Sequence, residues 1–226
     1  MANQLDLEEQ EQLDQIKHVW KQYGNAITWV LIVVLGAYAS WNFYHYWQRS
    51  QATQAAAMYE EVERLVKTGD PVKIERAFAD MKDKFGATAY GQQAGLLVAR
   101  QYFDTGKLDQ AKAALTWVAD KSNDPGYQAI ARLRLAAVLA ESKAYAEALT
   151  QLAGPFPAQF EALVADRKGD VLMLEGKKEL ARAEYDKAYS AFEPRTEYRR
   201  LVEVKLNALG VEPPVPIVAT VSKGKP

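Results

Sequence analysis

The sequence predicts an all-α protein: a single N-terminal transmembrane helix followed by an α-solenoid of stacked helical hairpins. Three observations carry this. Asn25–Gln48 is a run of 24 residues without Asp, Glu, Lys or Arg. Beyond it, Ala, Leu, Glu, Lys, Arg and Gln fill blocks of helical length separated by Gly, Pro, Asn and Asp. Three of those blocks repeat one spacing of small, turn and bulky residues. Strand alternation and Asn-Gly or Asp-Gly hairpin turns are missing.

Composition narrows the function before any motif is read. The 226 residues carry 28 basic and 29 acidic side chains, a net charge of -1 that argues against a nucleic-acid partner. Cysteine is absent, so disulfides, thiolate metal sites and cysteine nucleophiles are excluded. Both histidines, His18 and His45, precede residue 49, which removes Ser-His-Asp triads and His-based zinc sites from the rest of the chain. Phosphate-binding glycine loops of the GxGxxG or GxxxxGK[ST] type do not occur. No cofactor is implied.

The elements follow in order. Residues 1–24 read as a cytoplasmic N-terminal tail, acidic at first, with a helix from Ile16 leading into the span. Residues 25–48 read as a transmembrane signal anchor. A helix of that length extends roughly 36 Å, against a hydrocarbon core of about 30 Å. Trp20, Tyr23 and Trp29 mark one end and Tyr38, Trp41, Tyr44, Tyr46 and Trp47 the other, where aromatic rings sit at headgroup level. Ala37-Tyr38-Ala39 has the form of a signal-peptide cleavage site, but the acidic leader and the uncharged run past Ala39 favour an uncleaved anchor. Gly36 and Ser40 form a small-xxx-small pair suited to helix contact. Lys17 and Lys21 before the span, against Arg49 after it, place the N-terminus inside. Residues 49–210 then read as a helical domain outside the inner membrane, periplasmic if the source is a Gram-negative bacterium, and 211–226, rich in proline, as a flexible tail.

Within the helical domain, Ala99, Gly106, Ala111 and Leu115 form one set. Ala136, Lys143, Ala148 and Leu152 form a second, and Gly169, Gly176, Ala181 and Tyr185 a third. Each set has offsets of 7, 5 and 4. A small residue in the first helix permits close approach, a turn residue reverses the chain, a second small residue marks the crossing, and a bulky one fills the gap to the next pair. This is similar to the tetratricopeptide repeat, a helix–turn–helix unit of about 34 residues. Tyr102 takes that repeat's tyrosine position in the first set, and Ala188 its later small position in the third. Ser50–Phe85 reads as a further, degenerate pair turning at Gly69-Asp70-Pro71.

Stacked hairpins leave a curved groove lined by their first helices. Counting from the small residues, Leu96, Arg100, Phe103, Leu133, Ala137, Asp166, Asp170 and Met173 are the candidates to line it. Their mixed chemistry suits extended polypeptide; a solvated face without a ligand is the alternative. Asp166 and Asp170 lie one turn apart, but with Arg167 and Lys168 beside them and no other converging ligand they do not make a metal or acid–base site. No catalytic and no metal-binding residue is expected.

The layout as a whole resembles one family. The leader Glu11-Gln12-Leu13-Asp14-Gln15-Ile16-Lys17-His18-Val19-Trp20-Lys21-Gln22-Tyr23-Gly24 precedes one span and a repeat domain. That domain contains Leu133-Arg134-Leu135-Ala136 and Val164-Ala165-Asp166-Arg167-Lys168-Gly169-Asp170. Over about residues 8–210 this looks like the YfgM family of ancillary SecYEG translocon subunits. The resemblance implies a single-pass inner-membrane protein of type II topology with a periplasmic domain. It further implies partners in the SecYEG translocon and a PpiD-type periplasmic chaperone, and a role in passing unfolded secreted polypeptides onward. It brings no catalytic residues. Apart from the resemblance, a non-catalytic scaffold for an envelope or division complex fits the same inventory.

Overall fold

A computed structural model describes residues 7–211. Residues 1–6 and 212–226, including most of the expected Pro-rich tail, lie outside the described residues. The described residues are helical throughout: α1 (Leu7–Thr68), α2 (Pro71–Phe85), α3 (Ala89–Asp104), α4 (Leu108–Lys121), α5 (Pro125–Glu141), α6 (Tyr145–Leu152), α7 (Glu161–Leu174), α8 (Lys178–Ala191) and α9 (Glu197–Ala208), with one 3₁₀ turn at Ala158–Phe160.

The chain divides into two compact units, Met1–Gln54 and Ala55–Pro226. In the first unit, α1 leaves its apolar side chains unpacked. Trp29, Val30, Leu31, Ile32, Val33, Val34, Leu35 and Tyr38 are all exposed. A soluble core helix would hide these groups, and each is worth about 1.5–3 kcal/mol when removed from water. α1 is the one helix among the described residues that is long and apolar enough to cross a membrane. It is also continuous. The helix expected near Ser50–Lys67 is therefore the C-terminal part of α1 and not a separate element. The physical reason is that no Gly or Pro occurs between Gly36 and Gly69.

In the second unit, from α2 onward each helix packs on the next, and the first helices of successive hairpins, α3, α5 and α7, also touch in sequence. Two apolar clusters meet across α7. One runs from Ala55, Val62 and Leu65 of α1 through Val118 and Leu139 to Val164 and Val171. The other joins Ala165 and Leu172 to Ala181, Tyr185, Val202 and Leu206. α7 can serve both because its two flanks present different residues one position apart.

The hairpins are built alike because the same chemistry recurs at the same places. Ala99, Ala136 and Gly169 are buried in the first helices, and Ala111, Ala148 and Ala181 are fully buried in the second. Leu115, Leu152 and Tyr185 are buried as well, and Tyr185 packs on Gly169 of its own hairpin. At Gly169 a side chain has no room: a Cβ there would lie 2.4 Å from the Tyr185 ring. The turn residues Gly106, Lys143 and Gly176 have φ of 72°, 61° and 85°. The residue after each repeats its conformation too: Lys107 at φ -86°, ψ 67°, Ala144 at -83°, 57° and Lys177 at -87°, 65°. Lys107, Ala144 and Lys177 each donate their backbone N–H, at 2.8 Å, to Tyr102, Leu139 and Leu172 respectively, closing the end of the preceding helix. Starts are marked differently. Asp70 and Asp124 each precede a proline at the first helical position and accept backbone N–H bonds from the first turn, as at Gly126 N (2.7 Å).

Candidate groove on the first helices

One cleft on the first helices has a volume of about 290 Å³. Arg100 and Phe103 of α3, Arg134 and Ala137 of α5 and Arg167 of α7 line it, over a floor of Ala99, Leu115 and Val138. The floor is apolar because Ala99 and Leu115 are the small and bulky repeat residues seen from the open side. Phe103 keeps 39% of its surface exposed, which is unusual for a phenyl ring in a well-packed helical array.

The cleft carries an excess of positive charge. Arg100 Nε lies 3.6 Å from Asp104, an exposed pair. Arg167 Nη1 donates to Asp170 Oδ2 at 3.4 Å, while its Nε is buried without a hydrogen-bond partner. Arg134 has no acidic partner among the described residues and reaches only the Leu96 carbonyl, at 3.5 Å. Desolvation in the cleft, then the like charge of Arg100, hold the Arg134 guanidinium below its usual pKa.

Of the residues expected in the groove, Arg100, Phe103 and Ala137 come together here. The others do not. Leu96 is buried in the first apolar cluster, and Leu133 packs half-buried against it. Met173 packs against the second cluster. Asp166 is 1% exposed and therefore does not line a surface at all. Lys205 of α9 donates to Asp166 Oδ1 at 2.7 Å and to Asp170 Oδ1 at 2.6 Å. Tyr198 Oη donates to Asp166 Oδ2 and Tyr185 Oη to Asp170 Oδ1, both at 2.9 Å. The groups that converge on the two carboxylates are two cations, Lys205 and Arg167, and two phenols. They fix α9 to α7 and occupy most of the lone pairs that a metal would need. Burial, then Asp166, pushes the Tyr198 phenol up to about 12; burial, then Asp170, pushes Tyr185 up further. Among the described residues no three His, Cys, Asp or Glu side chains gather into a metal-binding group.

Arg134 and Arg167 were not singled out by counting along helix faces. A signal existed: both stand two residues before the small residue of their repeat, Ala136 and Gly169, and so lie 33 residues apart, one repeat unit. Lys205 and Tyr198 carry no such signal, and Tyr185 is marked by its repeat position as a packing residue, not as a donor to Asp170.

Comparison with known proteins fixes the family. Residues 17–211 match the family described as tetratricopeptide repeat-like domain. An ancillary SecYEG translocon subunit of Neisseria gonorrhoeae is 31% identical over 204 residues, spanning 90% of this chain and 98% of the relative. The chain belongs to this family of ancillary SecYEG translocon subunits. Proteins of the same name from Escherichia coli and Haemophilus influenzae are each 27% identical over 206 residues, covering 90% of the chain and 97% and 98% of those relatives. The family match starts inside α1 and ends at Val211, so it takes in the apolar helix and the whole hairpin array. No solved structure matches the chain.

Proposed function

We propose that the chain is a non-catalytic adaptor, held in the bacterial inner membrane by α1 beside the SecYEG translocon, with its N-terminus in the cytoplasm and its hairpin array in the periplasm. There the array receives unfolded segments of newly secreted polypeptides and passes them to a PpiD-type chaperone. The observation that carries this reading is the end-to-end relationship to proteins named as translocon subunits, over 90% of the chain. Two features support it. The exposed apolar stretch of α1 suits lipid, and the cleft on α3, α5 and α7 combines an exposed ring with guanidinium donors, a chemistry that can hold extended peptide weakly. Tethering accounts for how weak binding suffices, since an anchor beside the channel raises the effective concentration of the cleft toward emerging chains into the range of about millimolar.

The test uses single cysteines in this cysteine-free chain, at Gln4 and at the exposed Ser142, labelled in intact cells by a thiol reagent that crosses the outer but not the inner membrane. Labelling at 142 and not at 4, together with co-purification of SecYEG with the full chain, is the expected result. The reverse labelling pattern would put the array in the cytoplasm and leave assembly scaffolding as the function.

A further inference from the structure

The cleft has three guanidinium groups and too few acids to match them. Each of the three comes from the first helix of a different hairpin: Arg100 from α3, Arg134 from α5 and Arg167 from α7. Asp104 offsets Arg100 only from an exposed position at 3.6 Å. Asp170 accepts from Arg167 on Oδ2 at 3.4 Å, but it is shared with Lys205 and Tyr185, which hold its Oδ1. Arg134 has no acid among the described residues, and it is the residue between the other two in helix order. Like charges held together without counter-charge repel, and a folded chain tolerates them where a ligand of opposite sign completes the site.

The space limits what that ligand can be. A cleft of about 290 Å³ sits at the lower end of ligand-pocket sizes of roughly 300–1,000 Å³, enough for one or two side chains and not for a folded surface. Its floor of Ala99, Leu115 and Val138 and the exposed face of Phe103 call for an apolar group. The arginines around the floor call for a planar anion that accepts paired N–H bonds, which describes a carboxylate.

We infer that the cleft selects polypeptide segments presenting an acidic side chain next to a large apolar one. The apolar side chain lies on the Ala99–Leu115–Val138 floor against Phe103, and the carboxylate accepts from Arg134 and its flanking arginines. This deepens the adaptor reading and rests on it: the array would not be indifferent to its clients but biased toward acidic–apolar stretches.

Fluorescence anisotropy of the full chain in detergent micelles tests it. The probes are two peptides carrying the same uncharged dye, with the core Phe-Asp-Phe-Asp or Phe-Asn-Phe-Asn set in Gly-Ser flanks. At 50 mM salt the aspartate peptide is expected to bind about tenfold tighter, and the preference should fall to about twofold at 500 mM. Arg134→Gln should remove most of the preference while leaving the asparagine peptide's affinity within about twofold. Arg167→Gln should lower it as well, so that a folding defect in one variant, visible in its helical circular dichroism, does not mask the result. Phe103→Ser should weaken both peptides alike. Equal binding of the two peptides, or a preference that survives both arginine substitutions in folded protein, would overturn the acidic selectivity and leave the adaptor reading standing. If neither peptide binds, polypeptide capture by this cleft fails as well.

Discussion

The array holds two charged clusters that differ in one respect: in one the charges are matched from within, in the other they are not. Around Asp166 and Asp170, two acids are satisfied by Lys205, Tyr185, Tyr198 and Arg167, and the site is closed. Around Arg134 the cleft is open beside an exposed ring, and Arg134 itself, unlike Arg100 and Arg167, has no acid among the described residues. Both clusters draw on α7, where Asp166 and Arg167 are adjacent residues. Charge on a helix face therefore does not by itself mark a binding surface. What marks it is whether the chain later supplies the counter-charge.

Breaking the closed cluster should have the largest effect. Lys205→Met leaves Asp166 buried without its cation, and removing one partner of a buried pair costs about 3–5 kcal/mol. The thermal midpoint of the full chain in detergent, followed by helical circular dichroism, should fall sharply, with α9 becoming the first site of protease cleavage. Adding Asp166→Asn should restore part of the loss. An unchanged midpoint in Lys205→Met would mean the pair contributes nothing to docking α9.

Next in size is Gly169→Ala. The added methyl meets the Tyr185 ring at 2.4 Å, and overpacking of this kind costs about 1–3 kcal/mol. It also displaces Tyr185 from Asp170, so it should act on the same cluster from the opposite side. The same denaturation measurement reports it.

Tyr198→Phe should cost about 1.5 kcal/mol at neutral pH, the low end for a hydrogen bond to a charged acceptor, because Asp166 keeps Lys205. Its signature is in the pH profile. The folded-state pKa of Tyr198, at about 12, lies above the usual value of 10, so the neutral phenol is favoured by folding. That stability is fully present below pH 10 and is lost as pH rises from 10 through 12. The wild-type chain should lose stability over that window, and Tyr198→Phe should lose less.

The smallest expected effect sharpens the contrast. Arg134→Gln removes a charge that has no internal partner and lies near Arg100, so stability should stay within about 0.5 kcal/mol or rise slightly. A loss of 2 kcal/mol would mean the open cleft is structural after all, and that the two clusters do not differ in kind.

Much of the fold could be read from residue types at fixed intervals. Ala99, Ala136 and Gly169 announce close approach because nothing larger fits under a crossing helix. Gly106 and Gly176 announce a left-handed turn, and Lys143 was placed there by spacing alone although only its φ of 61° reveals that a bulky residue adopts that conformation. The unbroken course of α1 was less legible, because a change from lipid-facing to core-facing chemistry leaves no mark on the backbone. The groove was half legible. Arg100, Phe103 and Ala137 follow from helical spacing, but Leu96 does not, since a first helix is covered both by its own partner and by the next hairpin. Asp166 could not be placed because its counter-ion lies 39 residues further along, outside any periodicity. Arg134 and Arg167 were within reach through their shared place in the repeat.

That separation of 39 residues has a temporal side. A polypeptide is made from its N-terminus onward, so Asp166 exists for the whole time needed to add α8 and most of α9 before Lys205 does. During that interval the carboxylate lacks its cation, and a chain cut short before residue 205 carries an unmatched acid on α7. Such a copy should open more readily around α7, a difference that a protease reading local opening can detect.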